Sequence, residues 1–280
     1  MKRIISAFLA SVIILCCASA AFAADKKIFL TLGDSIAYGQ GVANPDEASF
    51  GKIVADTIGY EYANQAVSGY NSEALLVHME LPSVKEDIKK ADIISLSIGG
   101  NDFLTDNMAS LAVKALVLND YSDFDKIAKD FYDNFCKIVA KIKEYNPDVI
   151  LLVNNLYNPR FGIGREIYQQ GVDRLNGCYK RYLSENPGSY SMVDAASAIG
   201  SNEAYIAVDT IHPNAQGNVR IAKAALTTLR ELGVTDKTEL VINSTGLDYG
   251  GNGFVNIINN ARKSLEKLAE AVFGLMGLNV

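Results

Sequence analysis

The 280-residue chain reads as an α/β protein, a three-layer α/β/α sandwich doubly wound around a parallel sheet of about five strands. Three observations predict this. Short apolar runs alternate along the chain with longer stretches whose apolar residues recur at helical spacing, and strands joined by crossover helices pair in parallel. The runs are too apolar for strands with one wet face, so helices should cover both sides of the sheet. The runs ending near residues 32, 67 and 98 all break into polar, glycine-containing loops, which implies a shared sheet edge where those loops gather.

The first run, residues 28–32, leads into Gly33-Asp34-Ser35 and a loop to Glu47. Residues 50–58 follow as a helix, with Ile53, Val54 and Ile58 at helical spacing and Gly59 ending it. Residues 61–67 form a second short strand that ends in Ser68-Gly69-Tyr70-Asn71. Ser72 is predicted to cap a helix running to Met79, and a charged helix over residues 84–90 leads into a third strand over residues 92–98. That strand runs straight into Gly99-Gly100-Asn101-Asp102. A compact apolar stretch, residues 103–120, precedes a long helix over residues 123–145, which Asn146-Pro147 stops. A fourth strand over residues 149–153, an amphipathic helix over 166–183 and a short fifth strand over 190–193 come next. A loop then carries Asp209-Thr210-Ile211-His212-Pro213 into a helix over residues 216–232. No internal repeat is visible.

The two ends differ from this body. Residues 1–23 have a basic head at Lys2-Arg3, an apolar core over residues 4–17 and a small-x-small site at Ala21-Phe22-Ala23, the pattern of a cleavable secretory signal. An uncleaved anchor is the rival, although the apolar run is shorter than the roughly 20 residues a span needs. A lipidated cysteine fits less well, since Cys16 and Cys17 do not follow a small residue. The protein is therefore expected to be secreted or extracytoplasmic. Residues 24–235 form the main domain and residues 236–280 an extension in which apolar residues recur on one helical face over 254–276. That helix either packs back on the domain or docks on a membrane or a partner.

Removal of residues 1–23 takes two basic residues and no acidic ones, leaving 24 basic against 32 acidic residues and a net charge of −8. With no basic run in the remainder, nucleic acid is excluded as a partner. Cys136 and Cys178 remain, both in helix-like segments, and are expected to be two buried free thiols. Two cysteines are too few for a metal site.

The chemistry gathers at the loops. In an open parallel sheet, ligands sit outside the carboxyl ends of the strands, so Ser35, just past the first strand, faces a substrate. A serine hydroxyl needs a base, a group that orients the base and donors for an oxyanion. The chain has only two histidines, His78 on a predicted helix and His212 in a loop. His212 is the better base, with Asp209 three residues earlier and Pro213 biasing it away from helical geometry. Asp194, just past the fifth strand, is a rival to Asp209, with a structural hydrogen bond as its other reading. Oxyanion donors are expected from the N–H groups of Ser35 and Gly69 and the side-chain amide of Asn101. Each of these features is common in turns and caps taken alone. Their order, each after a predicted strand, is what points to a hydrolase.

These blocks resemble the SGNH, or GDSL, family of serine esterases and lipases. The likeness spans residues 27–232 and rests on Gly33-Asp34-Ser35 with Gly39, on Gly69, on Gly99-Gly100-Asn101-Asp102 and on Asp209-Thr210-Ile211-His212. It implies a flavodoxin-like sheet of order 2-1-3-4-5, Ser35 as nucleophile, His212 as base, Asp209 as acid, and oxyanion donors at Ser35, Gly69 and Asn101. Neither a metal nor an organic cofactor follows from it. The implied partner is a small ester, an acyl ester, a lysophospholipid or similar, and an acetyl esterase on carbohydrate is the alternative. A secreted binding module that keeps the fold without turnover is the competing class. The stretch after Asn101 either lines an acyl groove, with Leu104 and Met108 on its wall, or packs as a helix on the sheet.

Overall fold

The structure is a computed structural model that describes residues 26–103, 108–162 and 164–243. Its center is a five-stranded, wholly parallel sheet of order β2-β1-β3-β4-β5, made of β1 (Ile28–Gly33), β2 (Glu61–Ala66), β3 (Ile93–Ser97), β4 (Ile150–Asn154) and β5 (Ser191–Val193). This is the predicted architecture and strand order.

Successive side chains of a strand point to opposite faces, and the apolar residues divide accordingly into two cores. Leu30, Leu32, Ile94, Leu96, Leu151 and Val153 face one layer, which contains α4 (Ser72–His78), α5 (Pro82–Lys90), α8 (Ser122–Tyr145) and α9 (Arg165–Glu185). Phe29, Ile93, Leu152 and Val193 face the other, built from α3 (Phe50–Ile58) and α11 (Ala215–Glu231). Both cores are buried, so runs that read as almost continuously apolar are strands covered on both faces.

Several short elements were not legible as separate helices: α1 (Ser35–Tyr38), α2 (Pro45–Ala48), α6 (Gly100–Phe103), α10 (Ala195–Ile199) and a 3-10 turn at Glu203–Tyr205. Each is too short to show a periodic pattern. Within the apolar stretch 103–120, α7 (Met108–Leu118) forms, with Leu111 and Ala115 buried and Val113, Val117 and Leu118 exposed. Asn71, rather than Ser72, caps α4, accepting the Ala74 N–H at 2.9 Å. Cys136 and Cys178 are free as expected but only partly buried, Cys178 packing against the edge of the first core.

The expected membrane or partner contact through residues 254–276 is withdrawn. Among the described residues no helix is long and apolar enough to cross a membrane. Residues 254–276 themselves, like residues 1–23, lie outside the described residues.

Candidate active site

Ser35 stands at the first position of α1, immediately past β1. Gly33 makes the sharp exit possible: its φ is +127°, and a Cβ there would lie 1.8 Å from the Ser97 carbonyl oxygen at the end of β3. Asp34 then caps α1, its Oδ1 accepting the Ile36 N–H at 3.0 Å and the Ser97 hydroxyl at 3.1 Å, while its own N–H donates to the Ser97 carbonyl at 2.9 Å. The nucleophile candidate is thus riveted to the two central strands.

His212 Nε2 lies 2.7 Å from Ser35 Oγ, and His212 Nδ1 lies 2.7 Å from Asp209 Oδ2. The other Asp209 oxygen accepts the backbone N–H groups of Ile211 and His212, each at 3.0 Å. Burial pushes the Asp209 carboxyl up, but the hydrogen bonds from the His212 ring and the two backbone N–H groups outweigh it and bring its pKa down to about 2. An ionised carboxylate only accepts, so Nδ1 carries the proton and Nε2 presents a lone pair to the Ser35 hydroxyl.

The loop that presents His212 is held from several sides. Thr210 sits in the left-handed region at φ 65°, costly for a β-branched residue. Tyr157 donates its hydroxyl to the Ile211 carbonyl at 2.7 Å, and Arg160 Nη1 donates to Thr210 Oγ1 at 3.2 Å. The backbone N–H of Ala207 donates to the His212 carbonyl at 2.7 Å, beside a bridge between Ile206 and Pro213. Tyr157 and Arg160 carry no motif that marks them, and only the folded loop brings them to the turn.

The Gly69 and Asn101 loops are stitched together. Asn101 Nδ2 donates to the Tyr70 carbonyl at 2.8 Å, and Asp102 accepts both the Ser72 N–H, at 2.9 Å, and the Ser72 hydroxyl. The N–H groups of Ser35 and Gly69 donate to no acceptor among the described residues, and an amide nitrogen has a second hydrogen to give beyond the one Asn101 uses. Gly69 takes φ +86°, the turn conformation that leaves its N–H free of a ladder. Asn101 lines a pocket with Ser35 that holds about 670 Å³ of free space, part of it open to solvent, walled by Phe103, Leu156, Tyr157, Tyr168, Val172 and Leu175.

The remaining candidates fall elsewhere. His78 Nε2 lies 3.1 Å from the Gln65 carbonyl and its ring packs edge-on against Tyr70. Asp194 caps α10, accepting from the Asn155 amide at 2.9 Å and the Ser197 N–H at 3.1 Å, which is its structural reading. Leu104 and the side chain of Met108, expected on an acyl groove, lie outside the described residues; the Met108 backbone opens α7. Among the described residues no cluster of three His, Cys, Asp or Glu side chains is arranged to hold a metal ion.

A model of the GDSL-like lipase/acylhydrolase family matches residues 31–220, well over half of the chain. The chain belongs to this family. It is an esterase or lipase of the carboxylic ester hydrolase class, as the blocks around Ser35, Gly69, Asn101 and His212 implied. This family member is similar to the uncharacterized protein YpmR of Bacillus subtilis, 27% identical over 224 residues that cover 75% of this chain and 84% of the relative. It also resembles the spore germination lipase LipC of Bacillus licheniformis, 27% identical over 157 residues covering 54% and 70% of the two chains. Among solved structures, the lipase Lip_vut3 from a goat rumen metagenome has the same fold, with a TM-score of 0.59 at 22% identity, covering 72% of this chain and 97% of that one.

Asp34, present in the family's first block, is fully buried, and burial pushes its carboxyl from 3.8 up to about 7 against the hydrogen bonds of Ile36 and Ser97. The folded chain therefore holds this proton more tightly than the unfolded chain. Stability contributed by the protonated form is complete below about pH 4 and is lost as pH rises to about 7, a change of about 4 kcal/mol. Asp34→Asn, which keeps an acceptor for Ile36 and Ser97, is expected to remove that slope and to be the more stable form at pH 8. Urea unfolding of both proteins at a series of pH values checks this; parallel curves would reject it.

Proposed function

We propose that this protein is a secreted serine hydrolase that cleaves carboxylic esters of acyl groups longer than acetyl through an acyl-enzyme. The reading is carried by the unbroken hydrogen-bonded chain from Asp209 through His212 to Ser35. His212 takes the Ser35 proton on Nε2 as Oγ attacks the ester carbonyl, and Asp209 holds the ring and stabilises its cationic form. The resulting oxyanion would meet the N–H groups of Ser35 and Gly69 and the free amide hydrogen of Asn101. His212 then gives the proton to the departing alkoxide, leaving the acyl group on Ser35, and activates a water to release it. Residues 1–23 would direct export and be removed, residues 24–235 would form the hydrolase domain, and residues 236–280 an extension to it.

The apolar walls of the pocket beside Ser35 support an acyl chain longer than acetyl. Each methylene buried there contributes about 0.8 kcal/mol, so kcat/KM should rise up to about fourfold per carbon until the pocket is full. A series of p-nitrophenyl esters from acetyl to decanoyl tests this. An enzyme fastest on acetyl esters would instead be an acetyl esterase. Asn101→Ala should lower kcat by about 10² to 10³, the usual cost of one oxyanion donor. A rise in KM with kcat unchanged would mean that the amide holds only the ground state.

A further inference from the structure

The loops that carry Gly69 and Asn101 follow strands on opposite sides of β1, and the sheet itself does not join them. β2 and β3 each pair with β1 and not with one another, so the turn after β2 and the helix after β3 leave the sheet about 10 Å apart. The Gly69 turn is fixed at its start, where the Val67 N–H donates to the Gly33 carbonyl at 3.0 Å, and the Tyr70 N–H closes it on the Val67 carbonyl at 3.3 Å. Side chains tie its far end across to α6. Asn101 donates to the Tyr70 carbonyl, and both carboxylate oxygens of Asp102 are taken by Ser72, Oδ2 by the backbone N–H and Oδ1 by the hydroxyl. The fully buried Ser72 oxygen also accepts the Asn134 amide of α8 at 3.0 Å, so the single hydroxyl hydrogen is the one given to Asp102.

Asn101 and Phe103 line the pocket beside Ser35, whereas Asp102 between them does not. Asp102 reaches Ser72 instead, three positions after Gly69 in one loop, from a backbone that continues directly from Asn101 in the other. Oxyanion donors act only when aimed at the point where charge develops, and a displacement of about 1 Å can cost about 10²-fold in rate. We propose that Asp102 is a positioning residue, a clamp that acts through Ser72 to hold the Gly69 N–H and the Asn101 amide at the separation the oxyanion needs. The clamp consists of hydrogen bonds, not of charge. An asparagine at this position keeps both bonds: its oxygen accepts the Ser72 N–H, its nitrogen donates to the Ser72 oxygen, and the Ser72 hydrogen passes to the Asn134 carbonyl once that amide turns over. Alanine makes neither bond.

The inference rests on Ser35, Gly69 and Asn101 serving as nucleophile and oxyanion donors, and the two readings fail separately. Unchanged kcat in Asn101→Ala would overturn the donor assignment, whereas a loss there with none in Asp102→Ala would overturn the clamp alone. With p-nitrophenyl hexanoate, Asp102→Ala is expected to lower kcat by about 10² and leave KM within about twofold. Hexylboronic acid, whose tetrahedral adduct on Ser35 places an oxygen at the oxyanion site, should inhibit Asp102→Ala about tenfold or more weakly than wild type. Asp102→Asn should keep kcat within about fivefold of wild type. A fluorophosphonate should still label Ser35 to completion in both variants, more slowly in Asp102→Ala, which reports a folded site with its nucleophile in place. A kcat for Asp102→Ala within about threefold of wild type, or a rise in KM with kcat unchanged, would overturn the clamp. Equal losses in Asp102→Ala and Asp102→Asn would also overturn it, since the carboxylate charge would then be what matters. If Asp102→Ala does not fold, Ser72→Ala decides: loss of one of the two bonds should lower kcat by about tenfold at constant KM, and full turnover would reject the clamp.

Discussion

Ser35→Ala is expected to abolish ester hydrolysis, lowering kcat by about 10⁴ to 10⁶, and a fluorophosphonate should label the wild-type protein at Ser35 alone. The size of the effect follows from the chemistry. Without Oγ no acyl-enzyme forms, and only oxyanion donors and binding remain to help a water attack directly. Because Ser35 is held between Gly33 and the bonds Asp34 makes to Ser97, alanine should leave the fold and its stability intact. Peptide mapping of the labelled protein decides the assignment, and label on any other serine would reject it.

His212→Ala is expected to cost nearly as much as loss of Ser35, because the two act as a unit and their losses do not add. His78→Ala should leave turnover within about twofold of wild type. The contrast is set by partners: His212 Nε2 faces Ser35 Oγ at 2.7 Å, whereas His78 Nε2 faces the Gln65 carbonyl at 3.1 Å. Losing that bond and the packing on Tyr70 should lower stability by about 1 kcal/mol, read in a urea titration rather than in kcat. Equal losses of turnover at both positions would leave the base unassigned.

The long elements were legible because each carries a strong pattern. The helix stopped by Asn146-Pro147 ends as predicted at Tyr145, and the α3 boundaries agree with the reading of residues 50–58. Boundaries elsewhere shifted by a residue or two where caps are interchangeable, as with Asn71 and Ser72. The short helices α1, α2, α6 and α10 escaped because four or five residues hold too little periodicity to see.

At the site, residue types and order along the chain were enough to nominate Ser35, Asp209 and His212, since few side chains can serve as nucleophile, base and orienting acid. Asn154, Tyr157 and Arg160 had no such signal. An asparagine at the end of a strand reads as a turn residue until the sheet sets it beside Ser95 and Leu96, and a tyrosine reads as core until its hydroxyl meets Ile211.

By itself, then, the sequence determined the alternation of strands and helices, the two covered faces of the sheet and the candidate reacting groups, because burial and nucleophilicity belong to residue types. Only the tertiary structure decided which groups meet. The His212 to Ser35 hydrogen bond spans 177 residues of chain, and the one from the Tyr157 hydroxyl to the Ile211 carbonyl spans 54. Hydrogen bonds are directional and short, so their partners are chosen by the packed backbone, which local pattern does not specify.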